Sequence, residues 1–292
     1  MLWLFFAFLE PMLHAIANIF DTYLANRLFK NTFTLIFYAT CTNVLFLPLV
    51  WILQRPAFPT VSQLPLFFLL GLAEIGYLYP YYQALKHEDT SIVTSLFSLG
   101  KIFVPLLAFF IVEEVLTPWQ YLGFIIIIVS GALLTIKEKL RVNRSFWYMA
   151  LCSLILAFDV VLYKYIFQEV SWSTGFTWGT LSVLVFSLPL IFIIRKDIAQ
   201  QFSIFKAYAH LFIMEEFLSF AGSAAMTFAI SLTSVSLVGA IGSFQPLMVL
   251  VYALLFGKYF PRAFREDVTG KGIFKKVILF LVMVVGVWMI VG

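Results

Sequence analysis

Apolar runs of about 18 to 24 residues, the length needed to cross roughly 30 Å of hydrocarbon as a helix, recur ten times in this chain. They cover approximately 2–24, 33–53, 64–84, 91–112, 119–136, 146–167, 174–194, 208–231, 233–256 and 274–291. The pattern predicts an all-α integral membrane protein with ten transmembrane helices. Composition agrees: 62% of residues are hydrophobic and only 12% charged, with a mean hydropathy of +0.99, well outside the range of soluble domains. The net charge of +4 does not point to nucleic acid, because the basic residues gather in the connections between apolar runs and read as topology information.

Several chemistries are excluded or unsupported. Cys41 and Cys152 lie singly in apolar segments, so neither a disulfide nor a metal site is expected. No HExxH, CxxC, Walker-type or GxSxG pattern occurs, and His87 and His210 fall at membrane edges, so no enzyme, cofactor or pump driven by nucleotide hydrolysis in the same chain is read here. The N-terminal run lacks a basic leader and a small-residue cleavage site, and is read as a retained first helix.

The two halves of the chain repeat. Residues 84–101 align without gaps with 229–246, pairing Ala84 with Ala229, Ser91 with Ser236, Val93 with Val238 and Ser98 with Ser243. The fifth runs end in VSGALLTI and VVGVWMIV, and Leu-Pro-Leu occurs at 47–49 and again at 188–190. These matches predict two five-helix units, 1–140 and 145–292, within one transmembrane domain. Five is odd, so the second copy must enter from the opposite face, giving the inverted repeat on which many secondary transporters are built.

With these features the chain resembles the drug/metabolite transporter superfamily, in particular its ten-helix EamA-type members. The likeness rests on the five-helix halves, on the Ala-Leu or Ala-Ile step that closes each third helix before a Ser-rich opening to the fourth, and on SFQPLMVLVYALLFGK in the second half. There Lys258 stands where the family has a glutamate; in the first half the acidic residue is Glu113 or Glu114, and Lys101 takes the place of the proline. The resemblance implies a central cavity lined by helices 1, 3, 4, 6, 8 and 9, with helices 5 and 10 peripheral.

Ionisable residues inside the spans form an independent pattern. They are Glu10, His14 and Asp21 on helix 1, Glu74 on helix 3, Lys101 on helix 4, Asp159 and Lys164 on helix 6, and Glu215 and Glu216 on helix 8. Charge in lipid is costly, so these helices must turn a face to protein or water. Glu10, His14, Asn18 and Asp21, spaced four, four and three apart, make one stripe about 80° wide on helix 1. The stripe reads equally as a proton or substrate path and as an inter-helix hydrogen-bond seam. Asp21 and Lys164 lie near helix ends, where snorkelling to the interface is expected. Glu215 and Glu216 are adjacent and point about 100° apart, so at least one is expected to reach water. Within YLYPYYQ (77–83), Tyr81 and Tyr82 fit an interfacial belt, while Tyr77 and Tyr79 are candidates for the cavity. Gln245 precedes Pro246, where a kink can free a carbonyl for a ligand.

The sequence therefore reads as a secondary transporter that moves a small polar or amphiphilic metabolite by alternating access. Lys101, Glu74 and Glu10 are its midplane charges, and His14, Asn18, Asp159, Tyr77 and Gln245 further candidates for substrate binding or coupling. Buried carboxyls can titrate near neutral pH, so a proton is a candidate coupling ion, carried by Glu10 and Glu74. The expected partners are a small-molecule substrate and the lipid bilayer, with no nucleic acid, in a monomer or homodimer of the cell (inner) membrane. A flippase for a lipid-linked substrate and a non-transporting membrane scaffold are the alternatives. Lys101 has three possible partners: Glu74, Glu10 or an anionic group of the substrate.

Charge also predicts orientation. Connections after odd-numbered helices hold Arg27, Lys30, Lys86, Lys137, Lys139, Arg141, Arg144, Arg195, Lys196, Lys206 and the basic residues from Lys258 to Lys276, whereas the opposite connections clearly offer only Arg55. The positive-inside rule then places both termini outside, unlike the termini-inside arrangement of the family. A C-terminal reporter active only in the cytoplasm would overturn this orientation.

Overall fold

The computed structural model describes residues 1–87, 93, 96–97, 101–135, 144–256 and 270–291. Among them every regular element is helical. Helix α1 (Leu2–Tyr23) continues into a π-helical turn (Leu24–Leu28) and is followed by α2 (Thr32–Val44), α3 (Leu47–Leu53) and α4 (Leu64–His87). Next come α5 (Phe103–Val112), α6 (Pro118–Thr135), α7 (Arg144–Ile166), α8 (Trp172–Ser187) and α9 (Leu190–Ala207). The chain closes with α10 (Ala209–Leu232), α11 (Val235–Gly242), α12 (Gln245–Phe256) and α13 (Gly270–Val291).

Among the described residues, five stretches are long and apolar enough to cross a membrane unaided: Leu2–Leu28, Thr32–Leu53, Leu64–His87, Arg144–Ile166 and Ala209–Leu232. The pair α8 and the start of α9 qualifies together, with a 60° bend between them. The remaining apolar runs hold shorter described helices, among them Phe103–Val112, Pro118–Leu133, Val235–Val249 and Val277–Val291. The protein is thus an all-α, multi-pass membrane protein.

Local sequence explains the interruptions. Both Leu-Pro-Leu motifs fall at breaks, one between α2 and α3 and one between α8 and α9. Proline has no N–H to donate and its ring clashes with the preceding turn, so it is tolerated where a helix begins; Pro48 lies in the first turn of α3 and Pro189 immediately precedes α9. Lys101 and Ile102 form a turn before α5, and Ser243 and Phe244 separate α11 from α12. Lys101 therefore sits at a break and not within a continuous helix, and Pro246 occupies the first turn of α12 instead of kinking a longer one. Helix α9 also runs through 195–207, a stretch the sequence reads as a connection, and it carries Arg195, Lys196 and Lys206 along its length.

Packing pairs the helices across the two halves. Helix α1 lies along α10, α4 along α7 and α8, and α6 along α13. The last pair is close: a Cβ on Gly123 would lie 2.7 Å from the Gly286 carbonyl oxygen, so only glycine allows this backbone approach. At Gly131, a Cβ would lie 2.5 Å from the carbonyl oxygen of Ser243, which makes room for the break between α11 and α12. Around these contacts Ala7, Ile127, Ile128, Val161, Ile241 and Met283 form part of a fully enclosed apolar core.

Two charged side chains serve as helix caps. Lys164 does not snorkel outward; its Nζ donates to the carbonyls of Ile230 (3.1 Å) and Thr233 (2.7 Å), satisfying orphan acceptors at the end of α10. Glu114 accepts from the backbone N–H groups of Val235 (2.8 Å) and Ser236 (3.1 Å) at the start of α11. Glu113 supplies the turn that aims Glu114 there, with a left-handed φ of 55° at the C-cap of α5. The short turn between α10 and α11 is thus held from both sides, by α7 and by the chain after α5.

Candidate functional site

A cavity of about 220 Å³ opens between the α1/α10 and α4/α7 helix pairs. The eight residues expected to serve substrate binding or coupling line it: Glu10, His14, Asn18, Glu74, Tyr77, Lys101, Asp159 and Gln245. Its walls come from the first four runs, the sixth to the eighth, and the ninth through Val235, Val238, Gly239 and Gln245. The lining therefore includes the expected helices and also the second and seventh, through Thr40 and Asn43 on α2 and Phe176 and Thr180 on α8. Among the described residues α6 and α13 contribute nothing to it, consistent with a peripheral place for those helices.

The helix 1 stripe forms one wall. His14 Nδ1 lies 3.4 Å from Glu10 Oε1, one turn away, while its Nε2 faces the Ser219 carbonyl oxygen (3.2 Å) and the Ser223 hydroxyl (3.4 Å) on α10. Gly222 makes this fit possible, because a Cβ there would sit 2.9 Å from the imidazole. Lys101 Nζ approaches Glu10 Oε1 at 4.0 Å. Of the three partners open to Lys101, the structure brings it to Glu10; Glu74 is engaged elsewhere. Gly242 lies directly beneath this pair, where a Cβ would collide with Lys101 Nζ and come within 2.8 Å of Glu10 Oε2.

Farther along the stripe, Asp21 is buried and does not reach the interface. Its Oδ2 accepts from Tyr81 (2.7 Å) and its Oδ1 from Tyr82 (3.1 Å), and the Tyr81 hydroxyl also lies 3.0 Å from Asn18 Oδ1. Tyr81 and Tyr82 consequently belong to the cavity and not to an interfacial belt, whereas Tyr79 is 37% exposed and stacks on Phe33 outside it. Glu215 and Glu216 both line the cavity, at 2% and 5% exposure, so their divergence of about 100° does not send one of them to the outer surface. Glu215 Oε1 accepts from Ser219 (2.9 Å) and Glu216 Oε2 from Asn43 (3.3 Å).

The opposite wall is built on α4 and α7. Glu74 Oε1 accepts from the Tyr163 hydroxyl at 2.8 Å, and Gly179 on α8 leaves room for that phenol. Asp159 is 3% exposed, and its Oδ1 has no hydrogen-bond partner among the described residues. Among the described residues no group of three or more His, Cys, Asp or Glu side chains has the arrangement of a metal site. Asn43, Tyr163, Ser219, Ser223 and Thr180 are cavity residues that sequence reasoning missed. Uncharged polar residues are common in membrane helices that only pack together, so they carry no signal until a neighbour is known.

The fold and site define a multi-pass helical membrane protein with an internal, charge-lined cavity between its helix pairs. Residues 1–136 match the family model of the EamA-like transporter family, part of the drug/metabolite transporter superfamily. That family is one of membrane transporters of the drug/metabolite type. One solved crystal structure is similar over 98% of this chain and 94% of its own, with a TM-score of 0.66 and 14% identity, a likeness of fold alone. No curated protein sequence matches the chain.

Proposed function

We propose that the protein is a secondary transporter that carries a small polar or amphiphilic metabolite across the cell (inner) membrane by alternating access, with the units 1–140 and 145–292 as inverted repeats. The observation that supports this most is the concentration of buried ionisable side chains in one cavity flanked by broken helices. A chain that served only as a membrane scaffold would have no use for so much desolvated charge. Breaks at Lys101 and at Ser243, near aligned positions of the two halves, favour paired moving elements on either side of a shared site.

Glu74 is the carboxyl best placed to couple transport to protons. Glu74→Gln keeps an oxygen to accept from Tyr163 but can no longer bind and release a proton. Purified protein in liposomes should accumulate solutes from a metabolite mixture when a pH gradient is imposed, and Glu74→Gln should remove the dependence on that gradient without unfolding the protein. Uptake by Glu74→Gln with unchanged gradient dependence would take Glu74 out of coupling. No solute uptake by well-folded wild-type protein, with either orientation of the gradient, would defeat the transporter reading.

A further inference from the structure

The formal charges around the cavity do not balance. Six carboxyl side chains line it: Glu10, Asp21, Glu74, Asp159, Glu215 and Glu216. The basic side chains in the lining are Lys101 and His14, and both are directed at Glu10. The other five carboxyls have no ion-pair partner among the described residues. Asp21, Glu74 and Glu216 are at least supplied with hydrogen-bond donors, from Tyr81, Tyr82, Tyr163 and Asn43. Among the described residues Asp159 Oδ1 and Glu215 Oε2 are buried without a geometric hydrogen-bond partner, and the neighbouring Glu216 carboxyl lies beside Glu215. A buried carboxylate needs a counter-charge or donors to offset its desolvation, and here the open side of each group is the cavity.

The unmatched carboxyls also fall on two separate walls. Glu74 and Asp159 belong to the packed pair α4 and α7; Asp21, Glu215 and Glu216 belong to the packed pair α1 and α10. Tyr77, Tyr81, Phe97 and Phe176 supply aromatic surface in the lining, which suits an alkyl chain and the flanks of an ammonium group. A compact inorganic cation fits this arrangement poorly, because the acids do not converge into a ligand set.

We propose that the cavity takes a small organic amine with two cationic groups, one held by Asp159 beside Glu74 and the other by Glu215 and Glu216 beside Asp21. A single ammonium would neutralise one wall and leave the other unmatched, whereas a diamine serves both at once. The inference rests on reading this cavity as the substrate site of a transporter and narrows the substrate to a cationic class.

The test compares 1,4-diaminobutane, 1-aminobutane and 4-aminobutanoate as ligands of the purified full-length protein in detergent, by calorimetry and thermal shift. The diamine should bind saturably and at least about tenfold more tightly than either analogue, a difference of about 1.4 kcal/mol. Asp159→Asn and Glu215→Gln should each erase most of that preference. Equal affinity for the three compounds, or no binding of the diamine, overturns the proposal even if the variants prove unstable, because that comparison uses only the unaltered protein. Liposomes that accumulate a neutral or zwitterionic metabolite while the protein ignores the diamine would overturn this inference and leave the transporter reading intact. Tight diamine binding without uptake of any solute would do the reverse.

Discussion

Lys101→Met is expected to destabilise the protein by about 3 kcal/mol or more, the cost of breaking a buried pair and stranding one of its charges. The stranded group is Glu10, whose side chain is only 6% exposed and whose carboxylate oxygen lies 4.0 Å from Lys101 Nζ. His14, at 3.4 Å, can share that carboxylate, which holds the loss toward the lower end of the usual range of about 3 to 5 kcal/mol. Lys101→Arg is not a rescue. The ammonium rests on the bare α-carbon of Gly242, with no space for even a methyl group, and a planar guanidinium is bulkier. Removing both charges together, with Lys101→Met and Glu10→Gln, should restore most of the stability, since a buried pair contributes little net free energy once its desolvation is counted. Chemical unfolding of the detergent-solubilised variants would check this. A double variant no more stable than Lys101→Met would show that the lysine answers to a different group.

The sequence made the lining legible where charge and helical period act together. Four polar residues at spacings of four, four and three must share a face wherever α1 goes, and the Glu10–His14–Asn18–Asp21 face is the one that meets the cavity. Lys101, Glu74 and Asp159 could be picked out because few environments in a membrane tolerate them. Period alone does not say what a face meets, and that is where sequence reasoning misplaces residues. Asp21 looks able to reach water at the end of a helix, but the π-helical turn at Leu24–Leu28 extends the element, and the tyrosines after Pro80 close over the carboxylate. Glu215 and Glu216 diverge by one residue's rotation, yet α10 packs against α1 on one side and against α2 and α8 on others, so the cavity reaches around far enough to take both. Likewise, Lys164 has a stem long enough to snorkel, but the carbonyls at the end of α10 lie within its reach and need a donor.

Replacing Tyr81 and Tyr82 together by phenylalanine should cost about 3 to 6 kcal/mol, more than the loss of two ring hydroxyls would in an interfacial belt. Each hydroxyl donates to one oxygen of Asp21, at 2.7 and 3.1 Å, and a hydrogen bond to a charged acceptor contributes about 1.5 to 3 kcal/mol. Both tyrosines are buried, so a carboxylate left without their hydroxyls bears more of its desolvation cost. The two changes should not be independent of Asp21. In an Asp21→Leu background the carboxylate is gone, and adding Tyr82→Phe should cost less than about 1 kcal/mol because its hydroxyl has lost its acceptor, whereas the Tyr81 hydroxyl keeps Asn18 Oδ1 and Tyr81→Phe should still cost part of its original loss; the coupling is then largest in the Tyr82 cycle, about 1 to 2 kcal/mol or more. Asp21→Asn should fall between these extremes, as the amide oxygen can accept from one tyrosine while its nitrogen must find the oxygen of the other. Thermal unfolding of the set in one detergent gives every term of the cycle. Additive losses in the Asp21→Leu background would mean that the tyrosines are held by packing alone and that Asp21 draws its support from elsewhere on α1 and α10.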